Sequence, residues 1–357
     1  MTDLVHSPVA AVARVIDPGD PAEQVRASWL LRFKSANTRE AYNRDIHRWF
    51  DFLTDIDVPV FAARLTHVTV YMRLLEQQTE RHVGRNRKLV AADPPSPATV
   101  ARKVAVISSY YQHARRMELA TTNPADGVDR PYVDPDHSDT VGLTADEMRR
   151  YLDTARTAAE QARQRYQDAV DQGRRHQRLH DAWMGAERDY TIVALMLCVG
   201  GRETEIGRTA RIQDLGYDRG VRVLKVTRKG GKRQSLALGG SASVVDRYIM
   251  LLAEETGRRA GPLFLTMRGT PPSRPWLFTM VRAIAAAAHI PDPDRITPHS
   301  LRHSFATLSF ELEVPATHVQ LAMGHANMRT TTRYDRGRIR LDRSPSHQVS
   351  EALLGGE

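Results

Sequence analysis

The segment TPHSLRHSFATL (residues 297–308) carries a histidine and an arginine at a spacing that suits an anion. Thr297 followed by Pro298 is typical of a helix N-terminus, so His299 and Arg302 are predicted to project from one face of its first turns. A guanidinium fork beside the free N–H groups of a helix N-terminus can bind the oxygens of a phosphate. The alternative is a helix start that carries an ordinary basic patch.

Two other segments carry residues that could handle a phosphate. Arg202 follows the apolar stretch YTIVALMLCVGG, and Glu205 comes one predicted helical turn later, where it could orient the guanidinium or simply pair with it on a surface. Lys229 and Lys232 lie in RKGGK, whose two glycines suit a tight hairpin turn. Such a turn could lower a lysine into a DNA groove, although most exposed hairpin lysines are only solvated.

A third segment, MGHANMRTTTRYDR, places His325 at the end of a predicted helix and Tyr334 nine residues later. Arginines and threonines surround the tyrosine, so no hydrophobic core is expected to bury it. A phenol has a pKa of about 10 and becomes a nucleophile when basic neighbours draw its proton away. The alternative is a surface aromatic residue on a basic helix.

Helix-start patterns predict the elements that would hold these residues. Ser96 with Pro97, and Thr144 with Glu147, are typical N-terminal caps. The runs GVRVLKVT and RQSLALGG flank RKGGK and predict a β-hairpin. The rest of the second half of the chain is expected to be helical, and the basic stretch RHVGRNRKLVAADPPSP in the first half is expected to be irregular.

The length of 357 residues suggests two or three domains. The expected division is an N-terminal tail without structure (1–20), a helical domain (21–126), a linker rich in Pro, Asp and Gly (127–141), a larger domain (142–343) and a short C-terminal helix (344–357).

Composition narrows the class of protein. A net charge of +9 and a pI of about 9.8 favour an anionic partner, nucleic acid before membrane. The longest apolar stretch is too short to cross a bilayer and is predicted to be a buried helix. It contains the single cysteine, Cys198, which has no partner for a disulfide; a reducing cytoplasm, with the protein associated with the nucleoid, is therefore expected.

The order Arg, Lys, His-x-x-Arg, His, Tyr resembles the tyrosine recombinase family of phage-integrase and Xer-like enzymes. The segments CVGGRETEI, TRKGGKRQSLAL, PHSLRHSFAT and LAMGHANMRTTTRYD are similar to four boxes of that family. TREAYNRDI and the closing NPA of the first domain resemble the family's core-binding domain. The resemblance implies a mainly α fold with a small β-hairpin or sheet, in which a helical core-binding domain of the SAM-like type precedes a mostly helical catalytic domain.

The resemblance also implies the chemistry of the site. The implied catalytic residues are Arg202, Lys229, His299, Arg302, His325 and Tyr334, with Glu205 in support. The tyrosine would attack a DNA phosphate and form a 3′-phosphotyrosine, the arginines would stabilise the developing charge, and the lysine would protonate the leaving 5′ oxygen. Because the ester conserves the bond energy, neither ATP nor a metal is expected. Lys232 and Lys225 remain alternatives for the hairpin lysine.

Double-stranded DNA is the implied partner, held by four copies of the chain with two protomers on each site, and an accessory directionality factor is a further possible partner. Integration or excision of a mobile element is the favoured role. The candidate DNA contacts are basic side chains, namely Arg39, Arg44, Arg85, Arg87, Lys88, Arg102, Lys103 and Lys232. The C-terminal helix (344–357) is expected to dock on a neighbouring protomer, or else on its own domain.

Two departures from the family pattern stand out. Gly201 replaces a larger apolar residue and could loosen the turn before Arg202, and the segment 155–189 is longer than usual, which predicts one extended helix and one added helix. Three other functions remain open: DNA relaxation of the type IB topoisomerase kind, a DNA-binding regulator without activity, and a metal-dependent phosphohydrolase that uses His299, His303 and His325.

Overall fold

The computed structural model describes residues 19–78, 80–83, 88–91, 94–132, 140–174, 176–228, 231–325, 328 and 331, with backbone alone for 80–83 and 88–91. The chain divides into two compact units, Met1–Pro135 and Asp136–Glu357. The finer domain limits expected from the sequence stay predictions. Within the described ranges, no helix is long and apolar enough to span a membrane.

The first unit is helical with one added hairpin. Its elements are α1 (Pro21–Leu31), α2 (Ala36–Asp55), α3 (Leu65–Glu76), β1 (Glu80–Val83), β2 (Lys88–Ala91) and α4 (Pro97–Arg116). Ser96 caps α4 as predicted. The antiparallel pairing of β1 with β2 contradicts the expected irregular stretch. These strands are short and rich in charge, so they lack the alternation of apolar and polar residues that signals a strand.

Aromatic side chains fill the core of the first unit. Trp29 and Trp49 are fully buried on α1 and α2. The Trp49 Nε1 donates to the Tyr111 hydroxyl at 3.1 Å, and that hydroxyl donates to the Val60 carbonyl at 2.5 Å. The Trp49 indole N–H and the Tyr111 hydroxyl therefore both have hydrogen-bond partners inside this core.

The second unit packs helices around a three-stranded sheet. Its elements are α5 (Ala145–Asp171), α6 (Gln177–Val199), a π-helical turn (Thr204–Arg208), β3 (Leu215–Asp218), β4 (Val221–Thr227), β5 (Arg233–Ala237), α7 (Ala242–Thr256), α8 (Arg274–Ala287), α9 (Pro298–Glu311) and α10 (Ala316–Met323). The strand order is β3-β4-β5, and both pairings are antiparallel. The β4–β5 hairpin confirms the prediction, whereas β3 was not expected, because its four residues are too few to show a period.

The segment 155–189 extends α5, as predicted, whereas the expected added helix is the first half of α6, which continues into the apolar stretch. Tyr166 of α5 stacks on Trp183 of α6, with ring centroids 5.3 Å apart, and Ala159 is buried between the helices. The end of α5 and the first half of α6 therefore pack on each other through apolar contacts. The second half of α6 then enters the core.

The C-terminal half of α6 forms the centre of the second core. Residues 191–197 are buried as predicted, but Cys198 is exposed, which corrects the expectation of a fully buried helix. The helix ends at Gly200, whose φ of +65° places it in the left-handed region. A Cβ at Gly200 would collide with the ring of Phe305 on α9, so this glycine allows α9 to approach the end of α6.

Candidate active site

Arg302 lies at the centre of a cluster that joins three elements. It sits on the second turn of α9, whose start is fixed by the predicted Thr297 cap and Pro298. Its side chain is buried, and Nη1 donates to the Gly200 carbonyl at 2.6 Å. Nη2 donates to the Met323 carbonyl at 2.7 Å, so the guanidinium ties α9 to the ends of both α6 and α10.

His325 follows the end of α10 and contacts the same guanidinium. Its Nε2 lies 2.8 Å from Arg302 Nη2, and its Nδ1 lies 2.9 Å from the Thr331 hydroxyl. Because arginine only donates, Nε2 must accept and the ring proton belongs on Nδ1. Burial and the surrounding guanidiniums, Arg302 first, lower the pKa of His325 to about 3. The imidazole is therefore neutral near neutral pH.

Arg202 and Glu205 form the second part of the cluster. The Arg202 side chain is 35% exposed, and its Nη1 donates to Glu205 Oε1 at 2.7 Å. The Arg202 backbone N–H donates to the other carboxylate oxygen at 2.9 Å. Glu205 is only 4% exposed and lies in the π-helical turn, so it orients the arginine from the interior and is not a surface partner.

Gly201 does not loosen the turn before Arg202. A Cβ at Gly201 would lie 2.6 Å from Ile206 Cδ1 and 3.3 Å from Leu236 Cδ1. The volume that a larger side chain would need is therefore filled by Ile206 and by the sheet. Glycine fits this position because the neighbouring side chains already complete the core.

His299 and His303 have different environments although both lie on α9. His299 is exposed in the first turn, and partial burial of the ring, followed by the charge of Arg302, lowers its pKa. His303 is buried, with Nδ1 3.3 Å from the Thr307 hydroxyl and packed against Gly142. Across the described ranges, no group of three His, Cys, Asp or Glu side chains could hold a metal ion, so the phosphohydrolase alternative finds no ligand set there.

Arg228, at the base of the β4–β5 hairpin, joins the cluster although the sequence patterns do not single it out. Its Nη1 donates to the Met323 carbonyl at 2.5 Å and lies 3.3 Å from Glu205 Oε2. A signal was present in the sequence: inward-facing Val226 and outward-facing Thr227 predict that Arg228 faces inward. Lys225 faces outward on the same strand.

Several predicted site residues lie outside the described residues. These are Tyr334, Lys229, Arg85 and Arg87, and Lys88 is described in its backbone alone. Lys232 is exposed beside the hairpin turn. The choice of hairpin lysine among Lys229, Lys232 and Lys225 therefore stays a prediction.

The expected DNA contacts of the first unit divide into exposed and engaged side chains. Arg44 is exposed on α2, whereas Arg39 Nη1 donates to the Phe33 carbonyl at 2.7 Å. Arg102 keeps about half of its side chain exposed and pairs with Asp45.

The structure does not favour the prediction that Lys103 contacts DNA. This lysine is 4% exposed, and its Nζ lies 3.4 Å from the Asp45 carboxylate. Burial lowers the pKa of Lys103, and the carboxylate partly offsets that effect. Helical periodicity identifies the face on which a lysine lies but not the carboxylate on a neighbouring helix that draws it inward.

The fold and the cluster together define a class of protein: a mainly helical unit with a small sheet that brings two arginines and a histidine together. Residues 174–338 match the family model described as the Phage integrase family. This match, together with the relatives below, supports the tyrosine recombinase family. The fold class predicted from the sequence is confirmed.

Named relatives agree with this family. Tyrosine recombinase XerD of Staphylococcus saprophyticus is 26% identical over 315 residues, which cover 87% of this chain and 92% of the relative. Tyrosine recombinase XerD of Staphylococcus aureus is 26% identical over 318 residues, with the same shares covered.

Solved structures show the fold. XerH site-specific recombinase bound to difH substrate, in a pre-cleavage complex, aligns with a TM-score of 0.58 and 16% identity over 90% of this chain and 80% of that one. A lambda integrase dimer bound to a COC′ core site aligns with a TM-score of 0.60 and 16% identity over 93% of this chain and 82% of that one.

Proposed function

We propose that this protein is a site-specific DNA recombinase that cuts and rejoins strands through a 3′-phosphotyrosine at Tyr334. The observation that carries the proposal is the meeting of Arg202, Arg302 and His325 at the C-terminal end of α10. These residues come from three segments far apart in the sequence. The two guanidiniums of this cluster suit the non-bridging oxygens of one phosphodiester.

The two arginines stabilise the charge of the transition state. Each guanidinium can offer paired N–H donors that match two phosphate oxygens, which an ammonium group cannot do. Glu205 keeps Arg202 oriented, because its carboxylate accepts hydrogen bonds from both the guanidinium and the backbone N–H of that residue. A site that is oriented beforehand needs little rearrangement when charge develops.

His325 enters the reaction as a neutral ring. Burial of the ring, followed by the guanidinium charges, holds its pKa low in the free protein. A bound phosphodiester adds negative charge beside the ring and therefore raises that pKa. His325 can then accept a proton as the phenol of Tyr334 attacks, while Lys229 gives a proton to the leaving 5′ oxygen.

Double-stranded DNA is the proposed substrate and partner. Named neighbours support it: XerH is bound to difH substrate, and the Tn1549 transposon integrase is in complex with circular intermediate DNA. The proposed assembly has four protomers, two on each site, and an accessory factor sets the direction of exchange. The proposed role is integration or excision of a mobile element. The segment 344–357, proposed to dock on a neighbouring protomer, lies outside the described residues.

The test is to trap the covalent intermediate in cells and sequence the attached DNA. The parent protein should carry DNA from one recurring site, and Tyr334→Phe should bind that site without forming the adduct, because the ring remains while the attacking oxygen is gone. An adduct that persists in Tyr334→Phe would show that another residue is the nucleophile. Relaxation of a plasmid that lacks the site would instead identify a topoisomerase.

A further inference from the structure

The buried arginine at the base of the hairpin uses donors that point in several directions. Arg228 Nε donates to Gln234 Oε1 at 2.8 Å, which connects the two strands of the hairpin. Nη2 donates to the Ala322 carbonyl at 2.7 Å, and Nη1 donates to the Met323 carbonyl at 2.5 Å. Gln234 Nε2 adds a bond to the Leu321 carbonyl at 2.7 Å, so the hairpin holds three successive carbonyls of α10.

Burying a guanidinium carries a large desolvation cost that only several good partners offset. Arg228 is 6% exposed, and its partners are helix-end carbonyls together with the Glu205 carboxylate. The last carbonyls of a helix have no intrahelical donors and lie at the negative end of the helix dipole. The carbonyl groups at the end of α10 therefore bind the positive charge of Arg228.

The same helix end also holds the two arginines of the active site. The Met323 carbonyl accepts from both Arg228 and Arg302, and the Gly324 carbonyl accepts from Arg202 at 3.3 Å. His325 is the next residue in the chain. Three guanidiniums from three different segments thus meet on one turn, and Arg228 is the one that belongs to the hairpin.

We propose that Arg228 is a positioning residue that fixes the base of the β4–β5 hairpin against the end of α10. Lys229 follows Arg228 directly in the chain, so this contact constrains the point from which the lysine side chain starts. The inference rests on the proposed function, in which Lys229 protonates the leaving 5′ oxygen. Arg228 itself touches neither the phosphate nor the leaving group; it acts through its neighbour.

Arg228→Lys is the first variant, because it keeps the charge but cannot reach Gln234, both carbonyls and Glu205 together. The matched control is Arg222→Lys. Arg222 lies on β4, the strand that leads to Arg228, and bonds to Asp246 of α7 at 2.7 Å. Cleavage rates of both variants and the parent are measured on the DNA site that the trapping experiment identifies. This DNA is synthesised once with oxygen and once with sulfur at the bridging 5′ position of the cleaved bond.

A thiolate leaves readily without a proton, because a thiol has a pKa of about 8.5. Arg228→Lys should cleave the oxygen substrate slower by about tenfold or more, since small displacements of a catalytic group have effects of this size. On the sulfur substrate it should approach the rate of the parent, as Lys229→Ala should. Arg222→Lys should match the parent on both substrates. Equal slowing of Arg228→Lys on both substrates, or no slowing at all, would overturn the proposal.

Hydrogen exchange of the DNA-free protein tests the contact without relying on activity. The amides of Arg228, which donates to the Lys232 carbonyl, and of His325, which donates to the Gln320 carbonyl, should exchange faster in Arg228→Lys and not in Arg222→Lys. Unchanged exchange would refute the contact. If the parent forms no adduct with any DNA, the proposed function fails while this measurement still decides the role of Arg228 in the hairpin.

A second variant covers the case in which Arg228→Lys does not fold. Gln234→Ala removes the bond to the Leu321 carbonyl and one acceptor of Arg228, and it leaves no charge without a partner. It should show the same preference for the sulfur substrate and faster exchange at the hairpin base, each to a smaller degree. A Gln234→Ala protein with the exchange rates and cleavage of the parent would contradict the proposal.

Discussion

Arg302 and Arg202 differ in how far their guanidiniums also support the fold. Arg302 is buried and donates to carbonyls at the ends of two helices, whereas Arg202 is about one-third exposed and rests on Glu205. Both are proposed to stabilise the same transition state. Their substitutions should therefore have equal consequences for chemistry and unequal consequences for stability.

Replacing either arginine with lysine should lower the cleavage rate by a factor of about 10² to 10³, as for other preorganised donors. Arg302→Lys should also lower the free energy of unfolding by about 1–3 kcal/mol, because buried carbonyls lose their donor. Arg202→Lys should leave thermal unfolding almost unchanged. Single-turnover cleavage, DNA affinity and thermal denaturation check these outcomes. Parallel losses of affinity and cleavage would mean that the arginines anchor DNA.

His325 gives the folded protein a dependence on pH. Its pKa is about 3 in the folded state against 6.5 in the unfolded chain, so the unfolded chain binds the proton first as the pH falls. The stability from the neutral ring is complete above pH 6.5 and is lost progressively as the pH falls towards 3. Arg302, Arg202, Arg228 and His299 all face the ring and disfavour its protonation.

His325→Gln should therefore flatten the fall in unfolding free energy below neutral pH, since glutamine can accept from Arg302 without titrating. His318→Gln is the matched control, because His318 is an exposed histidine on α10. Urea unfolding at several pH values measures the dependence. Identical slopes for His325→Gln and the parent would show that the ring does not govern acid stability.

At the scale of elements, the end of α10 determines how the hairpin, α9 and the Arg202 turn meet. Gly324 ends this helix with φ of +62°. A Cβ there would lie 2.5 Å from both Cζ and Nε of Arg228. Gly257 ends α7 in the same conformation, with φ of +69°, but a Cβ there would have nothing within 4 Å.

Gly257→Ala should cost about 1–2 kcal/mol for the left-handed backbone alone. Gly324→Ala should cost more by about 1 kcal/mol or above, because the added methyl group must also displace a buried guanidinium. It should slow cleavage as well, whereas Gly257→Ala should not. Chemical denaturation and cleavage assays of the two variants make the comparison. Equal losses of stability in Gly324→Ala and Gly257→Ala would mean that the Arg228 side chain moves aside with no change in free energy.

For the molecule as a whole, the net charge of +9 predicts strong dependence of DNA binding on salt. Individual basic residues contribute only where they reach the solvent. Arg44 does so on α2, whereas Lys103 is buried beside Asp45. The two residues therefore distinguish a charge on the surface from a charge used inside the fold.

Arg44→Ala should reduce the slope of log affinity against log salt by about 1. Lys103→Met should leave the slope unchanged and alter only the free energy of unfolding, because its side chain is buried beside Asp45. Titrations of DNA at several salt concentrations, beside urea unfolding, give both quantities. A lower slope in Lys103→Met would place that side chain on the DNA surface after all.

The sequence by itself determined the features that depend on neighbours along the chain. Caps such as Ser96, Thr144 and Thr297, the turn of the β4–β5 hairpin and the order of the arginine, histidine and tyrosine boxes are local patterns. A cap acts within one turn of its helix, so a few residues are enough to predict it. The predicted fold class followed from these patterns together with the resemblance.

Only the tertiary structure decided where charges are buried. Arg228 and the Met323 carbonyl are 95 residues apart, and Lys103 and Asp45 are 58 apart, so no local pattern shows that these groups meet. Lys103 looks like a surface cation in the sequence, and the strand alternation that predicts an inward-facing Arg228 does not show which groups accept its hydrogen bonds. A buried cation is stable only where distant segments supply its acceptors, and those acceptors exist only after the helices have packed.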